Sequence, residues 1–337
     1  MTKPVIYSYC EDNHYVIDYY LDIVTKSLIL NGYDVKEVKF NDSKTLDKKN
    51  YILVVTSLSL FKWYIKGFRN FIFWSQGVAP EEVLMKHNSK LKYYILNYIE
   101  KFSIKKAKFL FFVSEYQKIH FSKKYNLNIN GNYYIMPCFN CDIEDESFFN
   151  KNKYSNNVFC YIGSLAKWQY FPETMDVYKK IEETNINVSL KIFTFNVEEA
   201  NAIVKSKGIE NFSIEYVEQI HLPKYLAECK YGFLLREDNI VNNVATPTKL
   251  STYLSNGIIP IISNTIYEYN KMLENYTFKI VLDNNESVER VNLYNKLNID
   301  SKNVYNEYKS FFEEYYNKDR HIENISKLLA SNNIIVK

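Results

Sequence analysis

Short apolar runs of four to six residues recur along this chain, and most are separated by segments whose apolar residues return every three or four positions. The first spacing predicts buried strands and the second predicts helices with one face on a core. Strands are expected at 4–9, 34–38, 51–55, 71–74, 109–113 and 133–136, and again at 158–162, 189–193, 213–217, 231–235, 258–262 and 277–282. Val16, Ile17, Tyr20, Leu21, Val24, Leu28 and Ile29 set the apolar face of a first long helix, which stops at Asn31-Gly32. A helical region opens at Ala79-Pro80-Glu81-Glu82 and runs to about 107 with a break near Asn88, and Ser114-Glu115 caps another. Later helices are expected near 172–183, 197–205, 222–229 and 304–316. Strands alternating with helices imply parallel βαβ units. The alternation stops in the polar, Asn-rich stretch 138–157, which has no periodicity and reads as a linker. Two similar α/β halves joined there follow, and a cleft between such halves is the usual place for a ligand.

The stretch 231–263 concentrates the candidate chemistry. It reads strand, polar loop, helix, strand. Arg236 ends the strand, where open parallel sheets bind ligands. Thr246 suits the N-cap, Pro247 the first helical position and Gly257 the residue after the last turn. Lys249 in the first turn opposes the helix dipole. Two cations at a helix start suggest a phosphate or diphosphate site; the alternative is two solvated charges beside a well-capped helix. Gly163-Ser164 follows the first strand of the second half, where a glycine allows close backbone approach to a phosphate, and Lys167 adds a third cation. The full dinucleotide fingerprint is absent, so a tight turn explains the glycine equally well. In the first half, Gly77, Glu81 and Glu82 form a matching feature, with first-turn stabilisation as the plainer reading. His14, in the loop after the first strand, stands at a ligand position.

Composition narrows this further. A length of 337 residues allows two ordinary domains, and 47% hydrophobic content permits real cores. Net charge is +3, which by itself argues neither for nor against nucleic acid. The charge is uneven, though: between Leu60 and Lys124 thirteen Lys or Arg stand against four acids. With Trp63, Tyr64, Phe68, Phe71, Tyr93, Tyr94 and Tyr98 interleaved, the segment either touches an anionic bilayer or is a solvated basic face over aromatic cores. The five cysteines (10, 138, 141, 160 and 229) follow no charged-then-apolar leader, so reduced thiols in a cytosolic protein are expected. Cys138 and Cys141 have redox or metal spacing but no second pair, so no metal is expected. No apolar run approaches a bilayer span. The five histidines are scattered, without a nucleophile–base pair, which favours a reaction driven by positioning and charge stabilisation.

The segments 158–168 (VFCYIGSLAKW), 217–227 and 235–257 (LREDNIVNNVATPTKLSTYLSNG) resemble the second domain of family 4 glycosyltransferases of the GT-B fold, and 109–125 with 133–138 resembles the end of their first domain. The resemblance implies an α/β GT-B fold: two Rossmann-like domains with parallel sheets facing a central cleft. It places an acceptor domain at 1–140, a linker at 141–157, a nucleotide-sugar domain at 158–315, and a C-terminal helix at 316–337 packing back on the first domain. It implies retaining, metal-independent transfer of a sugar from a nucleotide-diphosphate donor to a glycan or lipid-linked acceptor in surface polysaccharide synthesis. That setting is cytoplasmic, at the inner face of the plasma membrane, with no cofactor and no nucleic-acid partner. By position, Arg236 and Lys249 would neutralise the leaving diphosphate. Gly163, Ser164, Lys167, Glu218, Asn243, Thr246, Pro247, Thr248 and Thr252 would hold the donor. His14, Gly77, Glu81 and Glu82 would meet the acceptor. Two departures stand out: the family's paired Glu positions fall on Val244 and Thr252, and the Arg that often follows the first Gly is Ser164. They leave a second expectation open, a non-catalytic GT-B partner subunit or sugar-nucleotide-binding module.

Overall fold

The computed structural model describes residues 3–11, 15–185, 187–282, 289–295 and 297–331. Two compact units emerge from the chain. Unit 1 comprises the residues up to Cys138, Val244–Thr246 and the residues from Asn317 on; unit 2 comprises Phe139–Asn243 and Pro247–Tyr316.

Unit 1 is built on six parallel strands: β1 (Val5–Tyr9), β2 (Asp34–Glu37), β3 (Tyr51–Val54), β4 (Phe71–Ser75), β5 (Ala107–Phe112) and β6 (Tyr133–Ile135). Their order is β2-β1-β3-β4-β5-β6. Central strands covered on both faces read as unbroken apolar runs, and β4 is buried along its whole length. The helix Tyr15–Leu30 lays Tyr20 flat on Trp74, with centroids 4.2 Å apart and planes 1° apart. The Tyr20 hydroxyl donates to the carbonyls of Met136 and Pro137. The helix Lys318–Ser331 also belongs to this unit: Asn31 Nδ2 donates to Ser326 O at 3.1 Å, and Tyr134 Oη meets His321 Nδ1 at 2.8 Å.

The helix Ser57–Ile65 is missed by the hydrophobic pattern, as are the shorter Asp145–Phe148 and Tyr267–Met272. The first four residues of Ser57–Ile65, Ser57-Leu58-Ser59-Leu60, alternate as a strand would. Thr56 overrides that pattern by capping the helix, its Oγ1 accepting from Ser59 N at 3.0 Å. The break expected near Asn88 is a left-handed residue (φ 49°) between helices Ala79–His87 and Lys90–Lys106.

Glu100, on the buried face of Lys90–Lys106, accepts from Lys124 Nζ at 3.2 Å and from the Tyr125 hydroxyl. Burial outweighs both partners and pushes its carboxyl from 4.5 up to about 7. Over that window the folded protein holds a proton that the unfolded chain has lost, so this group's contribution to stability falls as pH rises through it. The shift corresponds to about 3 kcal/mol. Glu100→Gln is expected to remove the decline: the stability difference between variant and parent should grow by about that amount from pH 4.5 to about 8. Urea denaturation at both pH values measures it, and a constant difference would contradict it.

Unit 2 carries β7 (Asn157–Ile162), β8 (Val188–Phe193), β9 (Phe212–Glu215), β10 (Tyr231–Leu234), β11 (Ile259–Ser263) and β12 (Ile280–Leu282). All are parallel, in the order β12-β11-β10-β7-β8-β9. The chain runs outward from β7 to β9, then returns to β10 on the other side of β7. The order therefore reverses between β7 and β10, and a crevice forms at the carboxyl ends of such a pair. β12 is shorter than expected because side chains take the backbone groups before it: Phe278 N donates to Glu307 Oε1 and Phe278 O accepts from Tyr308 Oη, both at 2.7 Å.

Residues 141–157, expected as a linker, are folded into unit 2. The short helix Asp145–Phe148 sits there with Phe148 fully buried, and Glu144 N donates to Ser255 O at 2.9 Å. Among the described residues no helix is long and apolar enough to cross a membrane.

Candidate functional site

The site lies in unit 2, where β7 and β10 meet. β7 ends at Ile162 and Gly163 follows with φ +117°, a conformation that glycine adopts without strain. β10 ends at Leu234, and Arg236 stands two residues on. Its backbone is pinned from the neighbouring strand: Arg236 N donates to Ser263 Oγ at 2.6 Å, and Thr265 Oγ1 donates to Arg236 O at 3.3 Å. The third residue, Lys249, is the first of the helix Lys249–Ser255. That helix is held close to β10 because Gly232 has no side chain. A Cβ there would lie 2.7 Å from the Tyr253 ring, whose hydroxyl donates to Phe233 O at 2.9 Å.

These anchors bring Gly163, Arg236 and Lys249 together. A Cβ on Gly163 would meet Lys249 Cε at 2.8 Å, so the glycine makes room for the lysine side chain. Lys249 Nζ stands 3.9 Å from the centroid of the Tyr161 ring, a cation–π contact. Arg236 is 2% exposed and Lys249 8%. Arg236 Nη1 donates to Gln169 O at 3.0 Å and, more weakly, to Leu235 O. Its Nε, the Lys249 Nζ and Gln169 Oε1 are buried without a hydrogen-bond partner. Among the described residues no carboxylate pairs with either cation. Burial lowers the Lys249 amine well below its ordinary range, and the Arg236 guanidinium lowers it further; burial lowers Arg236 too.

Two uncompensated cations are costly to bury, since desolvation is offset only by an opposite charge or good hydrogen bonds. The unpaired donors on these two side chains are what an anion with several acceptor oxygens would satisfy. The helix itself adds little. It has seven residues, and the reading of Thr246 as its N-cap is corrected by the structure. Thr248 occupies that position without a side-chain cap, and the helix begins at Lys249, not at Pro247. The Thr246 hydroxyl is taken in unit 1, accepting from Cys138 N at 3.0 Å and donating to Val113 O at 3.3 Å. Any pull on an anion at this point would come from the two cations and not from the helix end.

The remaining residues singled out in the sequence fall into three groups. Ser164 follows Gly163 and Thr248 precedes Lys249 in sequence; both are half-buried, and Ser164 O accepts from Tyr161 Oη at 2.8 Å. Pro247 O accepts from the Tyr269 hydroxyl. Asn243 is occupied locally, donating to Asp238 Oδ1 at 2.8 Å and Thr265 O at 2.9 Å. Thr252 is buried, its hydroxyl directed to Thr248 O at 3.3 Å. Lys167 and Glu218 are exposed, on the turn Lys167–Gln169 and the loop after β9.

In unit 1, Glu82 Oε1 accepts from Val78 N at 3.1 Å, the first-turn role weighed from sequence. Glu81 pairs with Lys124 at 2.7 Å and faces His120 Nε2 at 3.5 Å. Burial opposes its charge, but His120 and Lys124 hold its carboxyl below the ordinary value. Gly77 O accepts from Gln117 Nε2 at 2.9 Å. His14 lies outside the described residues. Sequence reasoning missed Tyr161 and Gln169. An aromatic residue two before a strand-end glycine was a legible hint for the first; nothing in the spacing marks the second. Among the described residues no group of three or more His, Cys, Asp or Glu is placed to hold a metal ion.

No family model matches the chain, and no curated protein does. Solved structures do. HepE of Anabaena, in complex with UDP and glucose, is similar at 12% identity over 98% of this chain and all of its own, with a TM-score of 0.68. The lipopolysaccharide outer core galactosyltransferase WaaB is similar at 12% identity over 98% of this chain and all of its own, with a TM-score of 0.67. A mutant of S. aureus TarM, in complex with fondaparinux, alpha-GlcNAc-glycerol and UDP, matches 86% of this chain at 11% identity, with a TM-score of 0.63. The chain spans 57% of TarM's length. At these identities the likeness is one of fold, and the chain has the GT-B fold.

Proposed function

We propose that this chain is a glycosyltransferase moving a sugar from a nucleotide-diphosphate donor to a glycan or lipid-linked acceptor in cell-surface polysaccharide synthesis. The observation that carries the reading is the pair of buried, uncompensated cations, Arg236 and Lys249, at the strand-order reversal of a GT-B fold. HepE with UDP and glucose and the galactosyltransferase WaaB support the donor class. In the reaction the bond between the sugar's anomeric carbon and the diphosphate oxygen breaks, the acceptor's hydroxyl oxygen bonds to that carbon and gives its proton to the departing phosphate or to water, and negative charge develops on the leaving diphosphate. Arg236 and Lys249 stabilise that charge, where electrostatic preorganisation has its largest effect. With two cations in that role, transfer is proposed to proceed without a metal and, by the family resemblance, with retention of configuration. The proposed setting is cytoplasmic, at the inner face of the plasma membrane, with an anionic membrane surface as partner.

The test is transfer and hydrolysis measured across a panel of nucleotide sugars. Turnover with one donor, with retained configuration in the product, is expected. Tight nucleotide binding without turnover on any donor would favour the second reading, a non-catalytic GT-B partner or sugar-nucleotide-binding module. That reading has its own observation: Val244 and Thr252 stand where the family resemblance places glutamates.

Binding is also expected to depend on pH. In the free protein the Lys249 amine is held low by burial and then by Arg236. A bound diphosphate favours the protonated amine and opposes that lowering, so protons are taken up on binding wherever the free protein has released them. Affinity should therefore rise as pH falls from the ordinary lysine range towards the lowered pKa. Titration calorimetry of nucleoside diphosphates in buffers of different ionisation enthalpy measures both, and proton release on binding would contradict the site's chemistry.

A further inference from the structure

The basic, aromatic segment of unit 1 divides cleanly once folded. Trp63, Phe68 and Phe71 are core. Leu91, Tyr94, Ile95 and Tyr98 are not: they are 73%, 67%, 51% and 68% exposed. They sit at i, i+3, i+4 and i+7 of the helix Lys90–Lys106, so they form one continuous outward stripe. The opposite face of the same helix supplies the buried Glu100, Ser103 and Ile104. The stripe ends at Phe102, which packs edge-on against Phe61 and Tyr64. Helical geometry sets Lys90 and Lys101 on one side of the stripe and Lys92 and Lys106 on the other, with Lys105 at its far end. The one acid of this helix, Glu100, faces inward, so the outer face carries only positive charge.

We infer that this stripe is the surface by which the protein docks on an anionic lipid bilayer. The inference rests on the membrane part of the proposed function and assigns it to one face of one helix. Leu91 and Ile95 enter the acyl boundary, Tyr94 and Tyr98 lie at headgroup depth, and the flanking lysines extend to lipid phosphates. A protein partner is the poorer fit, because lysine is depleted in protein interfaces relative to the rest of the surface and five lysines border this stripe. Charge complementarity selects the bilayer: juxtamembrane lysines are attracted to anionic leaflets, and aliphatic and tyrosine side chains gain by burial there.

The experiment is co-sedimentation of the full chain with vesicles of phosphatidylcholine, with and without about one third phosphatidylglycerol. Two variants accompany it: Leu91→Ser with Tyr94→Ser, Ile95→Ser and Tyr98→Ser, and Lys90→Glu with Lys92→Glu. All these side chains are exposed, so the folded state should survive, and circular dichroism with a thermal melt checks that it does. Binding to anionic vesicles only, weakened about tenfold or more in each variant, is the expected result. If the parent binds and the stripe variant binds equally well, the membrane reading stands but this face is wrong. If the parent ignores anionic vesicles, the membrane reading and this inference fail together, while the donor assay still judges transfer. Parent self-association that the stripe variant abolishes would make the stripe an interface between copies and overturn the inference.

Discussion

Replacing Lys249 by methionine is expected to stabilise the protein and to cripple its anion site. The amine is buried, has no hydrogen-bond partner and lies near a second buried cation. An apolar side chain of similar length removes that desolvation cost and fills the same space, for a gain of about 1–3 kcal/mol. The same change should weaken binding of a nucleoside diphosphate by about 1–3 kcal/mol, the value of a lost charged hydrogen bond, or roughly 5- to 150-fold. Arg236→Met should lose comparable affinity but gain less stability, because it strands the Gln169 carbonyl that Arg236 Nη1 now satisfies. Opposite signs for stability and binding mark residues retained for a ligand. Urea denaturation and calorimetry with UDP, GDP and ADP read the two quantities. A Lys249→Met protein that is less stable and binds normally would make the lysine a structural residue and remove the diphosphate assignment.

Gly163→Ala should damage the same site from the backbone side. The residue holds φ +117°, which an alanine adopts at a cost of about 1–3 kcal/mol. Its methyl carbon would also stand 2.8 Å from Lys249 Cε, and the flexible lysine is the group that must give way. Stability and diphosphate affinity are both expected to fall, the second because Nζ leaves its place over Tyr161. Combining Gly163→Ala with Lys249→Ala separates the effects. The clash disappears and the backbone strain stays, so the double variant should lose less affinity than the two single losses summed. Additive losses would mean that the glycine does not act through the lysine.

The architecture was legible because apolar runs and helical spacing agree along most of the chain, and agreement across levels is what specifies a fold. Legibility failed where one local signal imitated another, as in the serine–leucine alternation at 57–60 that Thr56 turns into a helix. It failed again at 138–157, whose polar composition hides the buried Phe139 and Phe148. At the site, strand ends pointed to Gly163 and Arg236, and the expected helix start pointed to Lys249. Spacing could not distinguish Lys249 from Lys167, since one is buried and the other exposed only after folding. The hydroxyl of Thr246 looked like a helix cap because a cap needs only four consecutive residues to be guessed. Its real partners, Cys138 and Val113, lie more than a hundred positions earlier.

The membership of Lys318–Ser331 in unit 1 has a consequence for biogenesis. As the nascent chain emerges, β1 to β6 are available early, yet the surface that receives Ser326 and His321 stays uncovered until all of unit 2 has been translated. Domains commonly fold in order of synthesis. Here the later-made unit can close its sheet before the earlier one is complete, and a stalled ribosome would leave the N-terminal half, not the C-terminal half, exposed to chaperones and proteases.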